Sequence, residues 1–184
     1  MDTHTVMLYH GSNVAIQSPV VSYNTGFADF GRGFYLTTNH AAAIGRATKR
    51  AKQIGGLATV SVFELNENYV PWITWNASAL GGNDTVPQPP FGLRFDETPN
   101  GLAAWASYIQ ACRSGDTEVP RAGNPAIVRG WIATEEVEMM CAGFLTAEEL
   151  SQVLEPSELV VQYCILDQGL LDHALRFVRA DVVV

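Results

Sequence analysis

The sequence predicts an α+β fold, a split and mainly antiparallel β-sheet core with helices packed on it. Three observations lead there. The predicted element order is β, β, α, β, an insertion, α, β, α, α, β, α, β, without the strict alternation of a parallel βα array. Gly31-Arg32-Gly33 lacks the third glycine of a dinucleotide-binding fingerprint, which removes the doubly wound alternative. A chain of 184 residues, 47% hydrophobic and 16% charged, has the composition of one globular domain with a real core.

The elements follow in order. An apolar strand over residues 6–9 ends at His10, and Gly11-Ser12-Asn13 forms a turn cluster. Residues 13–28 mix apolar and turn residues, with Pro19 and Gly26, and read as loop with room for one short strand. Phe34-Tyr35-Leu36-Thr37 has the composition of a short buried strand. Thr38 or Asn39 can cap a helix over 40–54, which five alanines favour and Gly55-Gly56 stops. Residues 57–65 alternate and are β-branched, a strand.

Residues 69–100 hold Gly81-Gly82, Pro87, Pro89-Pro90 and Pro99, too many breakers for a long helix. Tyr69, Trp72, Trp75 and Phe91 argue against disorder, so this stretch reads as an irregular insertion folded over one side of the core. A helix over 102–113 has Leu102, Trp105, Ala106 and Ile109 at helical spacing. After a loop come a strand over 126–133, a helix over 135–141 and a helix opened by the capping box Thr146-Ala147-Glu148-Glu149. An apolar strand over 159–166 is interrupted by Gln162; a short helix over 169–175 and a strand over 176–184 complete the chain.

Nineteen acidic and 11 basic residues give a net charge of −8, which disfavours non-specific binding to nucleic acid or anionic membrane and leaves a local patch open. The densest basic group, Arg46, Lys49, Arg50 and Lys52, falls on the first helix. It is either a solvated face near the helix C-terminus or a surface that meets phosphate. Cys112, Cys141 and Cys164 form no CxxC and no zinc spacing, as expected of reduced, buried thiols in a cytoplasmic protein. No signal-peptide pattern opens the chain and no apolar run has transmembrane length, so no membrane partner is expected. An effector exported without such a signal would look the same. Glu135, Glu136 and Glu138 sit where a helix start favours carboxylates.

Two stretches stand out for chemistry: Leu8-Tyr9-His10-Gly11-Ser12, and Asp29-Phe-Gly-Arg-Gly-Phe-Tyr-Leu-Thr37. Alone, the second is either a turn followed by two core aromatics or a loop that lets a ligand approach. Together they resemble the NAD-binding half of the ADP-ribosyltransferase fold, and most nearly a group of small bacterial transferase-like domains with Tyr-His-Gly-Ser and a later Asp-Phe-Gly-x-Gly-Phe-Tyr-Leu-Thr. The likeness is strong over 6–65, weak in the middle and present again over 126–180.

The resemblance implies that His10, Tyr35 and Gln162 occupy a three-residue signature that is usually His-Tyr-Glu. It implies NAD as substrate, an ADP-ribose acceptor that can be protein, nucleic acid or small molecule, and loss of nicotinamide. His10 would hydrogen-bond a ribose hydroxyl, the Gly11 backbone would meet the carboxamide, and Tyr35 would stack on the nicotinamide ring. Gln162 would bond the nicotinamide ribose as positive charge builds at the anomeric carbon. Ser12, Gly33, Phe34 and Asn39 are the further cofactor-binding candidates. Phe34, if the strand is regular, points away from Tyr35 into the core, and Asn39 is most simply a helix cap. Gln162 departs from the signature: an amide supplies hydrogen bonds without the charge of a glutamate. That keeps two alternatives in view, a module that binds NAD or ADP-ribose without transferring it, and an NAD glycohydrolase toxin. No ligand set for a metal is expected.

Overall fold

The computed structural model describes residues 4–21, 28–75, 90–115 and 124–183. Its strands are β1 (Thr5–Ser12), β2 (Phe34–Thr37), β3 (Thr59–Asn66), β4 (Trp72–Trp75), β5 (Gly92–Phe95), β6 (Ile127–Trp131), β7 (Val161–Ile165) and β8 (Leu175–Val182). Its α-helices are α1 (His40–Ile54), α2 (Pro99–Ser114), α3 (Glu135–Cys141), α4 (Ala147–Val153) and α5 (Gln168–Ala174). The strands form one sheet in the order β4-β5-β6-β7-β2-β1-β3-β8. The pairs β4–β5 and β5–β6 are parallel and the others antiparallel. The α+β class, with a mainly antiparallel sheet, is therefore the observed one.

The sheet is loosely joined at one seam. β1 pairs with β3 along its whole length, from Thr5 opposite Asn66 to Ser12 opposite Thr59. β2 pairs with β7 throughout, from Phe34 opposite Ile165 to Thr37 opposite Gln162. Between β1 and β2 only Tyr9 and Thr37 stand in register. Beyond that point the Tyr35 carbonyl takes its hydrogen bond from the His10 ring, at 2.7 Å, in place of a strand N–H. A buried carbonyl must find a donor somewhere, and here a side chain from the far bank provides it.

Alternation along the strands sends side chains to two packed faces. On one, α1 lies over β1 and β3 through Ala43, Ala47 and Val60, while α2, α3 and α4 cover β5 to β7 around Trp105, Ile109, Val128, Val137, Met140 and Leu150. On the other, Leu8, Phe34, Leu36, Phe63, Tyr163 and Ile165 pack beneath Leu170 and Leu171 of α5. Gly11 explains the close seating of α1: a Cβ there would overlap the Ala43 carbonyl oxygen.

Some expectations are corrected. β1 runs on through Gly11 and Ser12, because both pair with β3, so the turn begins only at Asn13. Within 69–100, residues 72–75 and 92–95 are strands that extend the main sheet; residues 76–89 of the expected insertion lie outside those described. Pro99 opens α2 and does not break it. It stands at the helix start behind Thr98, whose hydroxyl accepts from the Gly101 N–H, and that position needs no proline N–H. The Thr146–Glu149 capping box is present in both directions. Among the described residues no helix is long and apolar enough to cross a membrane.

Candidate functional site

Where β1 and β2 part, two adjoining cavities open. The smaller, about 350 Å³, lies on the α1 face and is lined by Tyr9, Asp29, Tyr35, Thr37, Ile132 and Gln162. The larger, about 660 Å³, is lined by His10, Ser12, Gly33 and Phe34. Gly11, Tyr35, Arg46 and Lys49 line both, and Arg50 joins the larger. Tyr35 thus shares one cavity with Gln162 and the other with His10. Register accounts for this: Thr37 stands opposite both Tyr9 and Gln162, and Tyr35 opposite Cys164, so these side chains share the α1 face. His10 points the other way and stacks on Phe34, with ring centroids 4.5 Å apart.

Tyr35 is more than a flat wall. Its hydroxyl donates to the Gly31 carbonyl (2.8 Å) and accepts from the Phe30 N–H (2.9 Å), which holds the glycine loop closed. Gly31 can take part because it sits at φ +83°, a left-handed conformation that suits glycine. Burial pushes the Tyr35 phenol well above its usual range, so it stays protonated and keeps donating.

The loop held by Tyr35 begins with Asp29, and Asp29 organises Gln162. One Asp29 oxygen accepts from Arg113 at 2.6 Å; the other accepts from the Ala133 N–H (3.3 Å) and from Gln162 Nε2 (2.8 Å). Gln162 Nε2 also donates to the Trp131 carbonyl at 2.8 Å. Both neighbours of Nε2 can only accept, which fixes the amide orientation and leaves Oε1 as the atom for the cavity. Arg113 carries the chain outward to Glu138 (2.8 Å). Gln162 is 7% exposed, so it is a bonded interior amide and not a side chain in open solvent. Cys164, the register partner of Tyr35, is fully buried beneath Tyr35 and Gly33.

His10 has its protonation fixed by the same geometry. Its Nδ1 faces a carbonyl, which can only accept, so Nδ1 carries the hydrogen and Nε2 is a bare acceptor. Burial lowers its pKa to about 4, with the nearby Arg46 charge acting in the same direction. Because the folded-state value lies below the unfolded one, folded protein binds fewer protons between them. Its contribution to stability is complete above about pH 6.5 and is lost as pH falls toward 4. We expect wild type to lose up to about 1.4 kcal/mol per pH unit across that window relative to His10→Asn, measured by urea unfolding. Parallel curves for the two proteins would show that His10 titrates normally.

The remaining expected residues divide. Ser12 lines the larger cavity, with its hydroxyl directed at Asn13 Oδ1 (3.4 Å). Asn39 lines neither cavity; its side chain accepts from the Ala42 N–H (3.0 Å) as the cap of α1. Tyr9, Asp29 and Thr37 lie in the two stretches that stand out in the sequence but carry no role of their own there, and Arg113 lies in neither. Arg46, Lys49 and Arg50 were noted for charge, and they turn out to form one wall of the cleft. Among the described residues no three His, Cys, Asp or Glu side chains gather as a metal would need.

Residues 6–77 match a family described as proteins of unknown function (DUF3990). That span holds His10-Gly11, the Asp29–Thr37 stretch and the basic face of α1, and it stops short of Gln162. No curated protein and no solved structure is a match to the chain.

Proposed function

We propose that this protein binds NAD in the cleft between β1 and β2 and transfers its ADP-ribose to an acceptor. One observation carries the reading: the sheet parts beside His10, Tyr35 and Gln162, and the opposite wall of the gap is basic, with Arg46, Lys49 and Arg50. In a chain of net charge −8, that wall suits a pyrophosphate. The neutral His10 ring offers Nε2 to a ribose hydroxyl. Tyr35 gives a rigid ring face, and Gln162 offers Oε1 to a second hydroxyl. When NAD is bound, the chemistry is cleavage of the nicotinamide–ribose bond: the bonding pair leaves with nicotinamide, and a nucleophile adds at the anomeric carbon and loses its proton to solvent. Water as nucleophile would make the same site a glycohydrolase.

A second reading, an NAD- or ADP-ribose-binding module, has its own support. Asp29 is the carboxylate beside Gln162, and Arg113 pairs with it, so the negative charge near the anomeric carbon is partly neutralised.

Labelled NAD incubated with protein and cell extract tests the proposal. Transfer predicts free nicotinamide and label on an acceptor; hydrolysis gives nicotinamide without labelled acceptor; a binder gives a calorimetric signal with neither. Arg46→Gln/Lys49→Gln should weaken NAD binding at least about tenfold, since charge-assisted bonds to phosphate are worth roughly 1.5–3 kcal/mol each. Absence of binding, label and nicotinamide release in wild type would end the NAD reading.

A further inference from the structure

We infer that Arg94 and Arg129 form a second binding site, for the phosphate group of a small phosphorylated ligand, on the sheet face away from α1. The two arginines are register partners on the parallel strands β5 and β6. Neighbouring strands lie about 4.8 Å apart, so two permanent positive charges are set side by side on one face. Arg113, Arg176 and Arg179 each meet a carboxylate, whereas neither Arg94 nor Arg129 forms an ion pair among the described residues. Such a pair repels itself until something anionic lies between.

The guanidinium groups are held in place. Arg94 Nε donates to Thr74 Oγ1 at 3.0 Å. Arg129 lies over the Tyr163 ring, 5.9 Å from its centroid, and its Nε is shielded from solvent without a hydrogen-bond partner. A cavity of about 340 Å³ opens beside both arginines. Asp96 and Glu97 also border it. Asp96 accepts from the backbone and hydroxyl of Thr98 at the start of α2, which draws its charge to the helix, and Glu97 is exposed.

The anion's chemistry follows. A carboxylate fills one guanidinium fork, while a tetrahedral phosphate has oxygens for two. A small ligand suits the cavity, and the overall charge of −8 opposes a long polyanion. The inference stands apart from the NAD reading, because these residues line neither cleft cavity.

Calorimetry with inorganic phosphate tests it in an Arg46→Gln/Lys49→Gln/Arg50→Gln background, which removes the basic wall of the cleft. Phosphate should still bind, and adding Arg94→Gln should weaken it at least about tenfold. In phosphate-free buffer Arg94→Gln should melt no lower than its parent, since it relieves repulsion; in phosphate it should melt lower. Arg129→Gln should also weaken binding, and Arg94→Gln at its exposed position keeps the test open if that variant does not fold. No phosphate binding in this background, binding indifferent to Arg94→Gln, or a short single-stranded oligonucleotide that binds tighter than phosphate would each overturn the proposal.

Discussion

Gln162→Glu is expected to destabilise the protein by about 3–5 kcal/mol at neutral pH, the scale of a buried charge left without a partner. The signature of the resembled transferases suggests the reverse, that a glutamate here restores a missing charge. The surroundings of Gln162 oppose it. Nε2 donates to Asp29 and to the Trp131 carbonyl, both at 2.8 Å, and an ionised glutamate would put an oxygen against two acceptors. Proton uptake relieves the conflict, whichever of the two carboxyls takes it. The folded pair therefore holds a proton to higher pH than a free glutamate at about 4.3, so the deficit against wild type grows as pH rises from there and shrinks on acidification. Urea unfolding at about pH 7.5 and about pH 5 should show the gap narrowing; an equal gap at both would refute this account. Asp29→Asn/Gln162→Glu should recover part of the loss, because an asparagine amide can donate to the new carboxylate. The two sites would then be coupled and not additive.

The framework around the cleft was legible because its signals are local. The β-branched run of β3, the alanine-rich α1 with its asparagine cap, and the Thr146–Glu149 box each declare themselves within a few residues. β4 and β5 were not, since four-residue strands beside glycines and prolines are too short to show a period. At the site, His10-Gly11, Tyr35 and Gln162 were marked by the resemblance alone, and the partnership of Asp29 with Gln162 was not legible at all. They lie 133 residues apart and meet only because β2 pairs with β7. The basic wall was half legible. Charge on α1 was plain, but its direction depends on which face the helix buries. Ala43 and Ala47, four apart and both buried, were the available signal, for they place Arg46 and Lys49 at the edge of the contact.

Tyr35→Ala is expected to cost about 3–5 kcal/mol, as removal of a largely buried ring does, and to loosen the site as it does so. The ring packs against the core around Phe30, with the two rings nearly parallel and 6.5 Å apart. Its hydroxyl is the clasp between Phe30 and Gly31. Tyr35→Phe separates the two contributions. It keeps the ring and releases the clasp, leaving the Phe30 N–H and the Gly31 carbonyl without that partner, for about 1–3 kcal/mol. Loop 29–33 then has more freedom, and with it Asp29, which holds the Gln162 amide. The expected order of stability is wild type, Tyr35→Phe, Tyr35→Ala. Amide hydrogen exchange at Phe30 should quicken in both variants, because that N–H is bonded to the missing hydroxyl. If the ring face is what NAD meets, Tyr35→Phe should retain binding while Tyr35→Ala loses it, measured on protein shown to be folded. A Tyr35→Phe protein with unchanged Phe30 exchange would show that the clasp does not hold the loop. A Tyr35→Ala protein as stable as wild type would assign the ring to the ligand alone and not to the core.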